Sequence, residues 1–442
     1  MKQVLIALSI LALLALCICA MVFVAVLPSL GDRLSQARQP AAATATTARG
    51  QNPTALPTVA PAANVTSAPR TGPSPTPPAK TFTNLFPQQL VFYLNTDSAT
   101  QINQVSLIIQ LDGQSSSLRF LPEFTPSKKI SVAYEYNLQQ NYLPPGVTGQ
   151  FWWVLKDVDG KETPTAKESF RVDEPVIQWK KISNSKIAIY WYSGEQTFGQ
   201  QVFDRAVQSL ALLEKDTGVT VDRQVQIFLY GNRNDFLNAL GPNVAGFEGG
   251  RTHPEFGVVL IDAGPRTINF AKEATTHEMT HVIMHAKISG ALGEFSFPHW
   301  LDEGLAMYYE TVPGPLNPQF SLPLKKAIDE NTLLSLRSMA GRFPIDQVDL
   351  GYAESFSAVD YIYRKFGAPK MQALLLAIKV GGDFDELLQK TIGLNTDQLE
   401  NEWRKEIGAK PRVIPTATPV GKGPTPFPTF SLSTDPTATP AK

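Results

Sequence analysis

The chain has 442 residues, of which 43% are hydrophobic, and its 39 basic side chains nearly balance 40 acidic ones, giving a net charge of −1. This balance indicates neither nucleic acid nor an anionic membrane surface as a partner. Cys17 and Cys19 are the only cysteines. Both lie in an apolar N-terminal segment, so the rest of the chain can form neither disulfides nor a thiolate metal site.

Residues 4–30 are apolar apart from two serines and one proline. About 20 such residues cross a bilayer core, whereas the apolar part of a signal peptide has roughly 7–15. We therefore predict that residues 1–30 form an uncleaved anchor that crosses the cell membrane once, with the bulk of the chain on the extracytoplasmic side. Cleavage after Gly31 is the alternative.

Two segments rich in Pro, Thr and Ala flank the globular part of the chain, at residues 31–82 and 413–442. Neither composition can bury a core. We expect the first to be a disordered, extended linker and the second a disordered tail.

The segment 83–175 reads as short β-strands, because β-branched and aromatic residues are enriched or alternate with polar ones. A hairpin signal, Asp-Val-Asp-Gly, occupies residues 157–160. We predict an all-β immunoglobulin-like sandwich, a fold that usually serves for binding or as a spacer. The clearest predicted strands are 90–94, 104–111, 129–136 and 149–156.

The segment 176–412 has a mixed α+β pattern, in which strands and an amphipathic helix come first and mostly helices follow. The predicted strands are 186–192, 224–230 and 257–261. The predicted helices are 199–215, 269–286, 300–309, 355–366, 369–380, 384–392 and 396–407.

The most informative motif is His-Glu-Met-Thr-His at residues 277–281. On a helix, His277 and His281 lie four residues apart on one face and can bind a single Zn²⁺ ion. Glu278 lies about 100° around the same helix, where its carboxylate can act as a general base for water that the metal activates. A solvated helix carrying two unrelated histidines is the alternative interpretation.

A catalytic zinc site needs a third protein ligand and one open position. Glu303 fits, since it follows in a second predicted helix that is apolar on most sides, where a carboxylate is costly unless a cation compensates it. A salt-bridged glutamate near a helix start is the alternative interpretation. We expect His285 to face the core or to support a ligand, because it lies roughly 12 Å along the helix from His277.

Residues 300–306 read Trp-Leu-Asp-Glu-Gly-Leu-Ala, and together with residues 277–281 they resemble the gluzincin metallopeptidases, closest to the peptidase MA-like branch. The resemblance spans roughly residues 179–407. It implies a zincin-like two-lobe peptidase domain in which His277, His281 and Glu303 bind zinc and Glu278 is the general base. It also implies that the strand before the metal-binding helix, 257–261, is an edge strand that pairs with the substrate.

The same resemblance points to Tyr352 as the donor to the oxyanion that peptide hydrolysis creates, with Tyr308 and Tyr309 as alternatives and a purely structural tyrosine also open. The chain departs from the aminopeptidases by lacking their Gly-x-Met-Glu-Asn motif. It also has Met307 where the thermolysin type has an aspartate. Endopeptidase or exopeptidase specificity therefore stays open.

We predict a membrane-anchored, extracytoplasmic zinc peptidase that acts on peptides or proteins. The sequence does not indicate the substrate or the oligomeric state. One rival hypothesis is a non-catalytic binding or scaffold protein with a structural or vestigial zinc site. The other is an adhesion module in which the β-domain and the linkers carry the function.

Overall fold

The structure is a computed structural model and describes residues 81–242, 249–288, 296–311 and 314–414. The predicted membrane anchor lies outside these residues, as do the linker and the tail except for their innermost residues. Within the described ranges, no helix combines the length and the apolarity needed to cross a bilayer.

Seven strands of the described residues form one antiparallel N-terminal sheet. They are β1 (Phe82–Leu85), β2 (Gln89–Leu111), β3 (Leu118–Phe120), β4 (Ser127–Asn137), β5 (Thr148–Asp157), β6 (Glu162–Pro164) and β7 (Glu168–Arg171). The predicted hairpin at residues 157–160 is confirmed: it joins β5 to β6, and Gly160 has φ +82°.

Strand β2 is longer than the sequence predicted. The expected strands 90–94 and 104–111 are one strand of 23 residues, because pairing continues through the polar stretch that separates them. Its first half pairs with β4 and its second half with β5, and the register shifts between Asp97 and Ile102. Strand β2 pairs with β1, β3, β4 and β5, and β5 pairs with β6 and β7, so the seven strands form one sheet. The immunoglobulin-like arrangement is therefore not confirmed.

Aromatic side chains form the centre of the N-terminal core. The Phe92 ring lies 5.2 Å from that of Phe82, 4.9 Å from that of Phe151 and 5.5 Å from that of Phe170. Phe92 comes from the first half of β2, whereas Phe151 comes from the strand paired with the second half. The two halves of the sheet therefore bury their aromatic faces against each other.

A second sheet, the C-terminal sheet, consists of β8 (Lys180–Ser183), β9 (Ile187–Trp191), β10 (Val225–Tyr230), β11 (Gly250–His253) and β12 (Val258–Asp262). The strand order is β11-β12-β10-β9-β8. Its three inner strands are parallel and its two edge strands antiparallel. Both faces of the inner strands are buried, as is usual for parallel strands.

The prediction that residues 257–261 form an edge strand was wrong. These residues correspond to β12, which lies between β10 and β11 inside the sheet. The edge is β11, which the sequence did not indicate because Gly-Arg-Thr-His has no apolar alternation. Strand β11 pairs with β12 through backbone groups, and these need no hydrophobic pattern.

The described residues of the C-terminal half form the α-helices α1 (Gln196–Thr217), α2 (Arg233–Ala239), α3 (Ile268–Ile288), α4 (His299–Thr311), α5 (Pro318–Glu330), α6 (Val348–Phe366), α7 (Ala368–Val380), α8 (Phe384–Ile392) and α9 (Thr396–Glu406). All the helices that the sequence predicted are among them. The sequence did not predict α2, which is short, or α5, which contains Pro323. The chain is therefore an α+β protein.

Candidate metal centre

Helices α3 and α4 pack against each other and bring the two sequence motifs together. Helix α4 in turn packs closely on α6 at Gly304, where a Cβ atom would lie only 2.5 Å from the backbone oxygen of Ser355. A larger residue there would push the two helices apart and displace the neighbouring Glu303. Gly304 thus allows α4 to lie close to α6, and this packing sets the position of the Glu303 carboxylate.

Three side-chain atoms converge between these helices. His277 Nε2 lies 3.2 Å from His281 Nε2 and 3.4 Å from Glu303 Oε2. The distance from His281 Nε2 to Glu303 Oε2 is 3.5 Å. These are the three residues that the sequence proposed as metal ligands, and they come together as one group able to hold a metal ion.

The spacing of the three atoms matches the requirement of a zinc ion. In a tetrahedral site with bonds of about 2.0–2.1 Å, neighbouring ligand atoms lie about 3.3–3.4 Å apart. Glu303 Oε2 is buried and makes no hydrogen bond within the described part of the chain. A cation between the three atoms would satisfy it, and two imidazoles with one carboxylate are a usual zinc donor set. The residues therefore fit the metal.

A carboxylate holds the far side of each imidazole ring. His277 Nδ1 lies 2.9 Å from Glu310 Oε2, and His281 Nδ1 lies 2.8 Å from Asp302 Oδ1. When Nδ1–H donates to a carboxylate, the lone pair of Nε2 is left free and the ring orientation is fixed. Both histidines are therefore set to offer Nε2 to a common ion.

The electrostatics of the group are those of a cation site. Burial lowers the pKa of His277, but the carboxylates of Glu303 and Glu310 outweigh burial and raise it to about 10. The pKa of Glu303 is raised by burial but lowered more strongly by His281 and His277, to about 2. Protons on the imidazoles supply the positive charge in the metal-free protein, so a binding metal must displace them.

Glu278 lies on the next position of α3 and faces strand β11. The hydroxyl of Thr252 lies 2.5 Å from Glu278 Oε2. On the other side of the carboxylate, a Cβ atom at Gly250 would lie 2.5 Å from Glu278 Oε1. The predicted general base is therefore enclosed by the edge strand of the C-terminal sheet.

Tyr352, on α6, is adjacent to this group, with its ring centroid 6.1 Å from that of His277. Burial raises the pKa of Tyr352, and the charges of Glu303 and Glu278 raise it further, which keeps the phenol protonated. The two alternative tyrosines pack elsewhere. Tyr309 is hydrogen-bonded to the hydroxyl of Tyr363 at 2.7 Å, and Tyr308 stacks on the Tyr363 ring at 4.5 Å.

His285 lies beyond the three converging atoms. Its Nε2 is 3.1 Å from Asp302 Oδ2, so Asp302 contacts both His285 and His281. His281, His285 and Asp302 also form a second group close enough to hold a metal. However, His281 belongs to both groups, and its Nδ1 is engaged by Asp302.

Sequence reasoning missed the contributions of Asp302 and Thr252. Asp302 directly precedes Glu303 in the second motif, so its position was a signal that could have been used. Thr252 carries no such signal, because only the pairing of β11 with β12 brings it to Glu278.

Comparison with known proteins gives one family match. Residues 205–409 match the family model described as the Peptidase MA superfamily. No protein of curated function matches the chain.

Two solved structures illustrate the structural matches. An M1 zinc metallopeptidase from Deinococcus radiodurans is 11% identical, with 76% of this chain and 92% of that chain covered and a TM-score of 0.34. A polysaccharide deacetylase from Bacillus cereus is 15% identical, with 39% of this chain and 57% of that chain covered and a TM-score of 0.20. The chain thus spans little more than half of the deacetylase, and neither likeness is strong enough to establish a shared fold.

Proposed function

We propose that this protein is a zinc-dependent peptidase, because residues 205–409 match the family model described as the Peptidase MA superfamily. One observation carries the proposal: His277 Nε2, His281 Nε2 and Glu303 Oε2 lie 3.2–3.5 Å apart, with a buried carboxylate oxygen that lacks a hydrogen-bond partner among the described residues. A site with three protein ligands leaves a fourth position open for chemistry.

Several residues of the chain would have separate roles in peptide hydrolysis. His277, His281 and Glu303 would hold a zinc ion, which when bound polarises a carbonyl group and makes water more acidic. Glu278 would take a proton from the attacking water and deliver it to the leaving amine. Tyr352, kept protonated, would donate a hydrogen bond to the carbonyl oxygen as negative charge develops on it.

The test is peptide cleavage by the full-length protein, measured on casein and on a peptide library together with its zinc content. We expect zinc-dependent turnover that falls about 10²–10⁴-fold in Glu278→Gln, the usual contribution of a general base, while the variant retains its zinc. Stoichiometric zinc without turnover would instead support the rival hypothesis of a structural zinc site. Absence of zinc would support the adhesion hypothesis.

We also propose that residues 4–30 anchor the protein in the cell membrane and leave the rest outside the cytoplasm. The support is the length and apolarity of this segment, followed by a Pro/Thr-rich spacer. Carbonate-washed membranes should retain the full-length protein and release a variant that lacks residues 1–30. Recovery of the full-length protein in the wash would refute the anchor.

For the globular part, we propose an immunoglobulin-like domain at 83–175 and a zincin-like two-lobe peptidase domain at 176–412. Antiparallel strands around an aromatic core support the first, and a sheet followed by helices supports the second. Limited proteolysis should cut between the two near residue 175 and leave two folded fragments. Cleavage that unfolds both fragments would contradict these boundaries.

A further inference from the structure

We propose that Thr252 is a positioning residue that holds the carboxylate of Glu278 in place for proton transfer. This inference rests on the proposed function, since it assigns a supporting residue to the general base. It concerns the edge strand β11, which lies outside both sequence motifs.

The hydroxyl of Thr252 makes a directed contact with Glu278. It lies 2.5 Å from Oε2 and 3.2 Å from the backbone oxygen of the same residue. A threonine hydroxyl has one proton to donate, and the shorter distance directs it to the carboxylate oxygen Oε2. The hydroxyl therefore holds the carboxylate by a directed hydrogen bond.

Gly250 closes the other side of the carboxylate. Residues two apart in a strand point to the same face, so Gly250 and Thr252 both face α3. A Cβ atom at Gly250 would meet Glu278 Oε1 at 2.5 Å and Cδ at 2.9 Å, closer than atoms can approach without moving. The missing side chain makes room for the carboxylate, and the hydroxyl holds its second oxygen.

Strand β11 has a firm support behind it. Gly250 pairs with Ile261 and Thr252 pairs with Val259 in β12, and both partners are completely buried. The Asp262 amide also donates to the Gly249 carbonyl at 2.9 Å. Residue 252 therefore presents its hydroxyl from a rigid element, which is what a group that orients a flexible glutamate requires.

The kinetic test uses Thr252→Val, which keeps the shape and removes the hydroxyl, and Thr252→Ser, which keeps the hydroxyl. In the full-length, zinc-loaded protein we expect Thr252→Val to lower kcat about 10-fold, corresponding to about 1.4 kcal/mol, with KM and zinc content unchanged. Thr252→Ser should restore most of the activity. Thr163→Val, at an exposed position in the N-terminal sheet, is the matched control and should behave as wild type.

A double variant separates positioning from mere packing. If Thr252 acts through Glu278, then Thr252→Val should have no further effect on kcat in the Glu278→Gln background. Gly250→Ala should resemble Thr252→Val, because the added methyl group displaces the carboxylate. An equal loss of kcat in both backgrounds, or wild-type kcat in Thr252→Val, would overturn the inference.

A readout without turnover completes the test. Crystals of the metal-free wild type and of Thr252→Ser should show the Glu278 carboxylate within hydrogen-bond distance of residue 252, and Thr252→Val should show it turned away. The same position in all three would overturn the positioning role even if the wild type cleaves peptides. A wild type that binds zinc and cleaves nothing would overturn the proposed function and this inference together.

Discussion

The N-terminal sheet and the helices around the metal centre differ in what they bury. Among the described residues from 82 to 171, no buried side chain carries a charge, and the core is built from aliphatic and aromatic groups. The C-terminal half, in contrast, buries several ionisable side chains, namely those of Glu303, Glu354, Glu400 and Arg404. Buried charges are costly unless they are paired, so each of these needs a reason.

The reasons differ within the C-terminal half. Glu400 pairs with Arg404 at 2.9 Å and accepts from the Leu336 amide, which is a structural arrangement that holds a loop. Glu303, however, is surrounded by imidazoles: its Oε2 lies 3.4 Å from His277 Nε2 and 3.5 Å from His281 Nε2, and its Oε1 lies 3.7 Å from His299 Nδ1. Buried charge alone does not identify a site; the mark of this one is that two imidazoles and a carboxylate converge on a single point between two helices.

The largest expected effect on the zinc affinity of the metal centre is that of Glu303→Gln. The amide would keep the size of the side chain but remove the negative charge from the converging group. Loss of a residue that only hydrogen-bonds to a metal ligand lowers metal affinity by at most about 100-fold. Since Glu303 is itself a proposed ligand, we expect zinc affinity to fall by more than this. Isothermal titration with zinc would measure this, and a fall of less than 10-fold would show that Glu303 is not a ligand.

The converse change is Phe92→Ala, in the centre of the N-terminal core. Loss of this ring, which is completely buried among three other phenylalanine rings, should lower the free energy of unfolding by about 3–5 kcal/mol. Chemical denaturation would measure the loss. We expect zinc affinity to stay within about twofold of wild type, and a parallel loss of affinity would show that the two regions are coupled.

Removing the outer carboxylates should have an intermediate effect. Asp302→Asn and Glu310→Gln each weaken the hydrogen bond that fixes one imidazole, so each should lower zinc affinity about 10–100-fold. Glu330→Gln, at the exposed end of α5, is the control for loss of a carboxylate. Competition with a chelator would rank the four proteins, and equal affinities throughout would rule out this role.

The smallest expected effect on the metal centre is that of Glu354, which is completely buried on α6 but does not belong to the centre. Its Oε1 accepts from the Leu334 amide at 2.9 Å. Burial raises its pKa to about 8, with Arg404 lowering it and Glu400 raising it. Since its ordinary pKa is 4.5, the folded protein keeps this proton between about pH 4.5 and 8 while the unfolded chain loses it, so the free energy of unfolding falls as the pH rises across that range.

Glu354→Gln cannot ionise and should escape this loss. We expect its Tm relative to wild type to rise between pH 5 and 8 and to level off above, because titrations common to both proteins cancel in the difference. Melting curves at several pH values would measure it. A difference that stays constant with pH would contradict the raised pKa.

The sequence predicted the site better than its surroundings. His277, His281 and Glu303 could be proposed because helical spacing and a linear motif fix their relation within short segments. Tyr352 could be proposed only from resemblance, and the structure places its ring 6.1 Å, between centroids, from that of His277. Its catalytic role stays a prediction.

Long-range pairing accounts for most of what sequence reasoning missed. The two predicted halves of β2 are continuous because their partners β4 and β5 continue the ladder, which no local pattern reports. The position of β11 at the sheet edge and the contact of Thr252 with Glu278 depend in the same way on residues distant in sequence. Local periodicity identifies an element but not its neighbours.

Anomalous diffraction at the zinc edge, from crystals grown with zinc, would show directly whether His277, His281 and Glu303 bind the metal. We expect a single strong peak about 2.0–2.2 Å from each of His277 Nε2, His281 Nε2 and Glu303 Oε2. A protein that crystallises with zinc but shows no peak among these three atoms, or binds the ion only at another place, would contradict the proposed metal site.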